Sequence, residues 1–254
     1  MKRFMIIPVV VACFICLSHA AELQQMRSKI VLFGDSITEY SFSKRHGGWG
    51  ALLAERFMWS SDVLNRGYSG YNTRWARVLM EEALQRGDDA FTSPNLAVIF
   101  FGANDAAAEG MPLHVPLLEY RANIKAIIDM FRESTLRKAN TSLILVTPPP
   151  VNCQNREINV TSLYADAIRE IGIEKHVPVL DLWLPAEQGM DIHKDLIDGI
   201  HLSAAGNRKV ELGVLATIRQ SYPQLMPRSH YVSAKHLSKL RSTQEQEKAI
   251  RSGK

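Results

Sequence analysis

The chain has 254 residues, of which 46% are apolar and 22% charged, with 15 Gly, 11 Pro and 3 Cys. These proportions are those of a globular protein with one large core, and they exclude a disordered chain, a collagen and a disulfide-rich miniprotein. The 30 Lys and Arg against 26 Asp and Glu give a formal charge of +4, which taken alone suggests a polyanionic partner.

The N-terminus predicts a secretory signal. Two basic residues precede an apolar run over residues 4–17, and small residues stand at positions 18 and 20. This order is that of a signal peptide over residues 1–20, cleaved after Ala20, and predicts a secreted protein. The run is shorter than the roughly 20 residues of a membrane-spanning helix, so we expect no stable span. A protein that starts at Met26 would instead be cytosolic, and the sequence leaves that alternative open.

Cysteine usage and two sequons fit this interpretation. Cys13 and Cys16 fall within the predicted signal, so the mature chain keeps only Cys153 and forms no intramolecular disulfide. We interpret Cys153 as a half-buried side chain and not as a nucleophile. Asn140 and Asn159 each begin an Asn-X-Ser/Thr sequon, which is compatible with secretion.

After residue 26, short apolar runs alternate with amphipathic segments. The apolar runs predict buried parallel strands over 29–33, 62–67, 96–102, 142–148 and 177–182. The amphipathic segments have apolar residues at three- and four-residue spacing and predict helices over 50–58, 73–86, 116–138, 161–175 and 203–222. Five βα units of this kind predict an α/β protein, a three-layer α/β/α sandwich around a doubly wound parallel five-stranded sheet.

These units form one predicted domain over residues 26–227, followed by a basic tail. Residues 228–254 carry seven Lys or Arg and two Glu, and we expect them to lie outside the core. Subtracting the tail's +5 and the signal's +2 from the total of +4 leaves −3 for residues 21–227. The basic charge thus belongs to the two ends, and no sequence motif supports a nucleic-acid partner.

Polar residues follow the predicted strands at their carboxyl ends, where ligands bind in sheets of this type. Ser36 follows the first strand, and taken alone it would be a helix N-cap. Gly70 lies in the loop after the second strand and Asn104 follows the third; taken alone each is a turn residue. Asp198 and His201 precede the last helix at a spacing that lets a carboxylate fix an imidazole tautomer, although such a pair is more often a surface turn.

Together these residues supply what acyl transfer requires. Ser36 would be the nucleophile, His201 the base that takes its proton, and Asp198 the carboxylate that orients the base. The backbone N–H groups of Ser36 and Gly70 and the side-chain amide of Asn104 would donate to the oxyanion. Four such elements at one edge of a sheet favour catalysis over a set of unrelated turns.

The same motifs resemble the GDSL, or SGNH, hydrolase superfamily. They are Gly-Asp-Ser-Ile-Thr from Gly34, the Gly70 loop, Gly-Ala-Asn-Asp at 102–105 and Asp-x-x-His from Asp198. Within that superfamily, the run over residues 65–75 and the Thr-Pro-Pro-Pro-Val motif resemble the isoamyl acetate-hydrolysing esterase branch. The resemblance spans residues 30–206.

The resemblance implies a flavodoxin-like SGNH hydrolase fold with Ser36 as nucleophile, His201 as general base and Asp198 as its partner. It also implies an oxyanion hole formed by Ser36, Gly70 and Asn104. The glycine of the second motif could instead be Gly67. We choose Gly70 because it directly precedes the polar turn.

The expected activity is hydrolysis of small carboxylic esters, with acetates as the expected substrates, through an acyl-enzyme. A lysophospholipase, a thioesterase or a sugar O-acetylesterase would use the same residues. An alternative of another class is a non-catalytic binding protein whose basic tail associates with a membrane or a polyanion. The sequence predicts no metal or other cofactor, since it contains no His-Glu-x-x-His, Cys-x-x-Cys or Gly-x-Gly-x-x-Gly motif outside the signal.

Other polar and aromatic residues have two interpretations each. Asp35 is predicted as a buried carboxylate that accepts loop N–H groups, with a third catalytic acid as its alternative. Arg74 could bind a substrate carboxylate, or nearby carbonyls or Asp105. His193 is predicted as an exposed loop residue. The residues that could line an acyl pocket or simply fill the core are Phe42, Trp49, Tyr71 and Met111.

Overall fold

The structure is a computed structural model. It describes residues 27–134, 141–153, 155–184 and 189–227. The predicted signal over 1–20 with its two cysteines, the sequon at Asn140 and the basic tail over 228–254 lie outside the described residues. Within the described ranges, no helix combines the length and apolar character needed to cross a bilayer.

A parallel sheet occupies the centre of the fold. Its strands are β1 (Ser28–Gly34), β2 (Ser61–Gly67), β3 (Leu96–Phe100), β4 (Ser142–Val146) and β5 (Val179–Leu180). They lie in the order β2-β1-β3-β4-β5, and every neighbouring pair is parallel. This is the doubly wound order, with its switch point between β1 and β3. The predicted fold class is confirmed.

Three strands are shorter than predicted, each for a local reason. β3 ends before Gly102, whose φ of +127° is not a strand conformation. β4 ends before Pro148, which has no N–H to donate to a ladder. β5 has only two residues. The N–H of Leu182, the next one that would face β4, donates to the side-chain hydroxyl of Thr147 at 2.9 Å instead of to a backbone carbonyl of that strand.

Helices cover both faces of the sheet. Those described are α1 (Ser36–Glu39), α2 (Trp49–Phe57), α3 (Thr73–Gln85), α4 (Asp89–Thr92), α5 (Leu117–Glu133), α6 (Ile158–Lys175) and α7 (Ala204–Ser221). The five long helices were predicted, whereas the one-turn helices α1 and α4 were not. α5 ends before its predicted end, with Ser134 as C-cap donating its hydroxyl to the Phe91 carbonyl at 3.0 Å.

The core consists of two apolar clusters separated by the sheet. Side chains alternate along each strand, so Val31 and Phe33 face α3, α5 and α6, while Ile30 and Leu32 face α2 and α7. All four are at most 3% exposed. Burying each such side chain stabilises the fold by roughly 1.5–3 kcal/mol, so the two clusters hold the strand ends, and the loops that follow them, in fixed positions.

Candidate active site

Ser36 lies where β1 passes directly into α1. A Cβ on Gly34 would come within 2.0 Å of the Thr38 hydroxyl oxygen, so only glycine lets the helix begin this close to the strand. Asp35 is the N-cap, with its Oδ1 accepting from the N–H of Ile37 at 2.9 Å. Ser36 is therefore the first helical residue and not the N-cap, and its own N–H has no acceptor within the helix.

A chain of hydrogen bonds joins the three residues predicted to act together. His201 Nε2 lies 2.9 Å from Ser36 Oγ, and His201 Nδ1 lies 2.7 Å from Asp198 Oδ2. Asp198 Oδ1 accepts the backbone N–H groups of Ile200, at 3.0 Å, and of His201, at 2.8 Å. Burial alone would raise the pKa of Asp198, but these hydrogen bonds outweigh it and hold that pKa below its usual value. The carboxylate therefore stays ionised beside the imidazole.

The two candidate glycines of the second motif differ in what their N–H groups do. The N–H of Gly67 donates to Asn65 Oδ1 at 2.8 Å, and a Cβ on Gly67 would meet the Glu39 nitrogen at 2.0 Å. Gly70 has a φ of +79°, and no described residue accepts its N–H or comes within 4 Å of its Cβ position. Gly67 is thus a packing position, whereas Gly70 presents an open donor.

The Asn104 side chain is held at both ends. Its Nδ2 donates to the Tyr71 carbonyl at 2.9 Å, which leaves the second amide hydrogen without an acceptor among the described residues. Its Oδ1 accepts from Arg156 Nη2 at 2.8 Å, and Arg156 Nε donates to the Ala103 carbonyl at 2.7 Å. Sequence reasoning missed Arg156, because it lies 52 residues from Asn104 and in no recognisable motif.

Two buried carboxyl groups flank these loops. Burial raises the pKa of Asp35 to about 7, against the lowering effect of the Ile37 hydrogen bond, and the nearby Asp105 charge adds to the rise. Burial likewise raises the pKa of Asp105 to about 6, against its hydrogen bonds from Thr73. Asp105 Oδ2 has no hydrogen-bond partner among the described residues. The prediction that Asp35 is a buried carboxylate is confirmed, but the N–H that it accepts, that of Ile37, belongs to helix α1 and not to a loop.

We expect Asp35→Asn to change how stability depends on pH. The folded Asp35 carboxyl keeps its proton to about pH 7, whereas the unfolded one loses it near pH 4. Between these values the folded state binds the Asp35 proton and the unfolded state does not, so the contribution of Asp35 to the free energy of unfolding falls as pH rises and levels off above about pH 7. The variant keeps an oxygen acceptor for Ile37 and loses this slope, which reaches at most about 1.4 kcal/mol per pH unit.

Urea unfolding between pH 4 and pH 8 measures the difference between variant and native chain. Asp88→Asn is the matched control, because Asp88 is also an N-cap aspartate, accepting from Ala90 at 2.8 Å, but lies at a partly exposed helix start. Parallel curves for Asp35→Asn and the native chain would contradict a buried, proton-holding Asp35.

A pocket of about 200 Å³ adjoins the His201 imidazole. It is lined by Ile37, Tyr40, His46, Ile197, Asp198, His201, Leu202 and Asn207. The Tyr40 ring lies beside the imidazole, with ring centroids 5.2 Å apart and the ring planes inclined by 47°. Ser36, Gly70 and Asn104 are not among the lining residues. The pocket therefore borders the imidazole and the Asp198 carboxylate, and the predicted oxyanion donors do not line it.

Known proteins resemble this chain over most of its length. Residues 32–209 match the model of the GDSL-like lipase/acylhydrolase family. The chain belongs to that family. It is 38% identical to an isoamyl acetate-hydrolyzing esterase 1 homologue of Mus musculus, over 78% of this chain and 86% of the relative. It is 40% identical to a GDSL esterase/lipase of Arabidopsis thaliana, over 73% and 83% of the two chains.

Two solved structures share the fold. A lipase/acylhydrolase from Enterococcus faecalis superposes with a TM-score of 0.60 at 25% identity, over 80% of this chain and 99% of the other. The acetyl xylan esterase AlAXEase superposes with a TM-score of 0.59 at 20% identity, over 75% and 99% of the two chains. Because its GDSL relatives are named as esterases, the protein is a carboxylic ester hydrolase, which argues against a non-catalytic binding protein.

Other candidate residues of this GDSL hydrolase do not take part in the hydrogen bonds that join Ser36, His201 and Asp198. Arg74 pairs with Glu119 through two contacts of 2.6 Å, and not with Asp105. His193 is exposed and Cys153 half-buried, as predicted. Trp49 is fully buried in the core. The lining of the pocket contains none of the four residues predicted as alternatives for an acyl pocket, Phe42, Trp49, Tyr71 and Met111.

Proposed function

We propose that this GDSL hydrolase is a serine esterase of small carboxylic esters, preferably acetates, that acts through an acyl-enzyme on Ser36. The observation that carries the proposal is the continuous hydrogen bonding from Ser36 Oγ through His201 to Asp198. A hydroxyl is a weak nucleophile unless a neighbouring base takes its proton, and the base works best when a carboxylate fixes its tautomer. This chain of contacts meets both conditions.

In the proposed reaction, Ser36 Oγ attacks the ester carbonyl carbon while His201 Nε2 takes the hydroxyl proton. Asp198 stabilises the imidazolium that forms. The carbonyl oxygen gains negative charge, which the N–H groups of Ser36 and Gly70 and the amide of Asn104 would stabilise. The intermediate collapses as His201 returns the proton to the leaving alcohol. Water then attacks the acyl-enzyme by the same steps and releases the acid.

The pocket beside His201 supports a small apolar alcohol. The leaving oxygen receives its proton from His201 Nε2, so the alcohol lies near the imidazole, which also lines the pocket. Ile37, Tyr40, Ile197 and Leu202 give it apolar walls, and its other side chains are polar. The names of an isoamyl acetate-hydrolyzing relative and of an acetyl xylan esterase neighbour support acetates as the acyl donors.

Hydrolysis of p-nitrophenyl esters from acetate to palmitate tests the proposed substrate class. With the leaving group constant, we expect kcat/KM to be highest for acetate and to fall as the acyl chain lengthens. A maximum at long acyl chains would overturn the preference for small esters and favour a lysophospholipase. Faster turnover of an acetyl thioester or of an acetylated sugar than of any alkyl acetate would assign the site to those substrates.

We propose further that residues 1–20 direct the chain into the secretory pathway. Support comes from the order of basic, apolar and small residues in that segment. Asn159 of the second sequon is exposed on the first turn of α6, which is compatible with that route.

A further inference from the structure

The guanidinium of Arg156 lies against the oxygen end of the Asn104 amide. We propose that Arg156 is a positioning residue for ester hydrolysis, which fixes the Asn104 amide so that its N–H faces the developing oxyanion. The inference rests on the proposed function, because it assigns Arg156 to the same reaction. It concerns a residue that would not touch the substrate and that acts on the reaction through Asn104.

The first argument is the orientation of the amide. Its oxygen and nitrogen have nearly the same shape, so a half-turn of the side chain would present Oδ1 to the oxyanion, where it would repel. The Tyr71 carbonyl accepts only from Nδ2, and a guanidinium donates and never accepts. With Arg156 Nη2 at 2.8 Å from Oδ1, the two partners together allow a single orientation of the amide.

The second argument is the strength of the donor. A hydrogen bond from a charged group is roughly twice as strong as one between neutral groups. The positive charge on Arg156 draws electron density toward Oδ1 and leaves the amide hydrogens of Asn104 more positive. The hydrogen that Asn104 does not give to Tyr71 therefore becomes a better donor to an anion.

The third argument is that the backbone around Arg156 is itself fixed and is joined to the His201 loop. Arg156 and Cys153 exchange backbone hydrogen bonds of 3.1 and 2.9 Å. Next to Cys153, the N–H of Asn152 donates to the carbonyl of Gly199 at 3.0 Å. Gly199 lies between Asp198 and His201, and its φ of +84° favours glycine. One loop thus contacts both the Asn104 side chain, through Arg156, and the loop that carries the base.

Arg156→Met is the primary test, because it keeps the length of the side chain and removes every donor. We expect kcat for p-nitrophenyl acetate to fall by about 10- to 100-fold, less than the about 100- to 1,000-fold loss of a whole oxyanion donor. KM should change little, because Arg156 does not contact the ester. Arg156→Lys keeps the charge but replaces the two nitrogens that bond Ala103 and Asn104, Nε and Nη2, with a single ammonium, so its kcat should lie between those of the native and Met variants.

A double-mutant cycle separates positioning from a general structural role. If Arg156 acts through Asn104, Arg156→Met should add almost no further loss of kcat in an Asn104→Ala background. Losses that multiply, or a rise in KM with kcat intact, would overturn the inference. The control is Arg169→Met, since Arg169 makes a comparable paired contact with Asp181, at 2.8 and 3.0 Å, outside the site. Its kcat should match that of the native chain.

The outcomes also distinguish this inference from the proposed function. An Asn104→Ala variant with native kcat, beside an inactive Ser36→Ala variant, would overturn the role of Arg156 and leave the serine mechanism standing. Retained activity in Ser36→Ala would instead remove the proposed function itself. If Arg156→Met does not fold, Arg156→Lys alone in the same cycle with Asn104→Ala decides the matter.

Discussion

Replacing Ser36 with alanine is expected to lower kcat/KM for p-nitrophenyl acetate by about 10,000-fold or more. The substitution removes the atom that forms the acyl-enzyme, and the oxyanion donors that remain have no covalent intermediate to stabilise. Because Asp35 and not Ser36 caps α1, the local structure should persist, and the melting temperature should stay close to that of the native chain. Initial rates and a thermal unfolding curve on the same preparation measure both.

Ser41→Ala is the matched control for this substitution. Ser41 is also a buried serine, five residues along, and its hydroxyl has no hydrogen-bond partner among the described residues. We expect its activity to equal that of the native chain. Equal rates for Ser36→Ala and the native chain would contradict the assignment of the nucleophile.

Replacing His201 with alanine is expected to cost nearly as much, about 10,000-fold or more in kcat. The loss follows because, among the described residues, His201 is the only base that Ser36 Oγ contacts, through Nε2 at 2.9 Å. In the double variant Ser36→Ala with His201→Ala, the losses should not multiply, since residues of one catalytic unit are grossly non-additive.

His193→Ala controls for the loss of an imidazole from the same segment. His193 is exposed, and its backbone N–H donates to Asp191 Oδ1 at 2.9 Å, whereas its imidazole has no hydrogen bond to any described residue. Native kcat is expected for this variant. A large loss in His193→Ala with little loss in His201→Ala would mean that the base had been assigned to the wrong histidine.

The sheet and its helices could be predicted because burial on both faces leaves a plain signal in the sequence. β1 is apolar at consecutive positions from Ile30 to Phe33, since alternate side chains enter the two core clusters. Strand ends were predicted less well where a backbone N–H donates to a side chain instead of to the neighbouring strand, as at the end of β5. There the Thr147 hydroxyl accepts the N–H of Leu182, and no periodicity in the sequence reveals this hydrogen bond.

The candidate site was predicted where each residue directly follows a strand or precedes a helix. Asp198 and His201 are only three residues apart in the sequence, so their spacing alone predicted that they interact. Choosing between Gly67 and Gly70 needed the backbone, because only the structure shows which N–H is already bonded. Arg156 could not be predicted, since its contact with Asn104 depends on how a distant loop folds back over β3.

The central claim, that Ser36 is the nucleophile of an esterase, is tested most directly by covalent trapping. A fluorophosphonate, which phosphonylates activated serines, is incubated with the native chain, and the modified peptide is identified by mass spectrometry. We predict one adduct, on Ser36, whose formation parallels the loss of p-nitrophenyl acetate hydrolysis and which is absent in His201→Ala. An adduct on another residue that accompanies inactivation, or full inactivation with Ser36 unmodified, would contradict the claim.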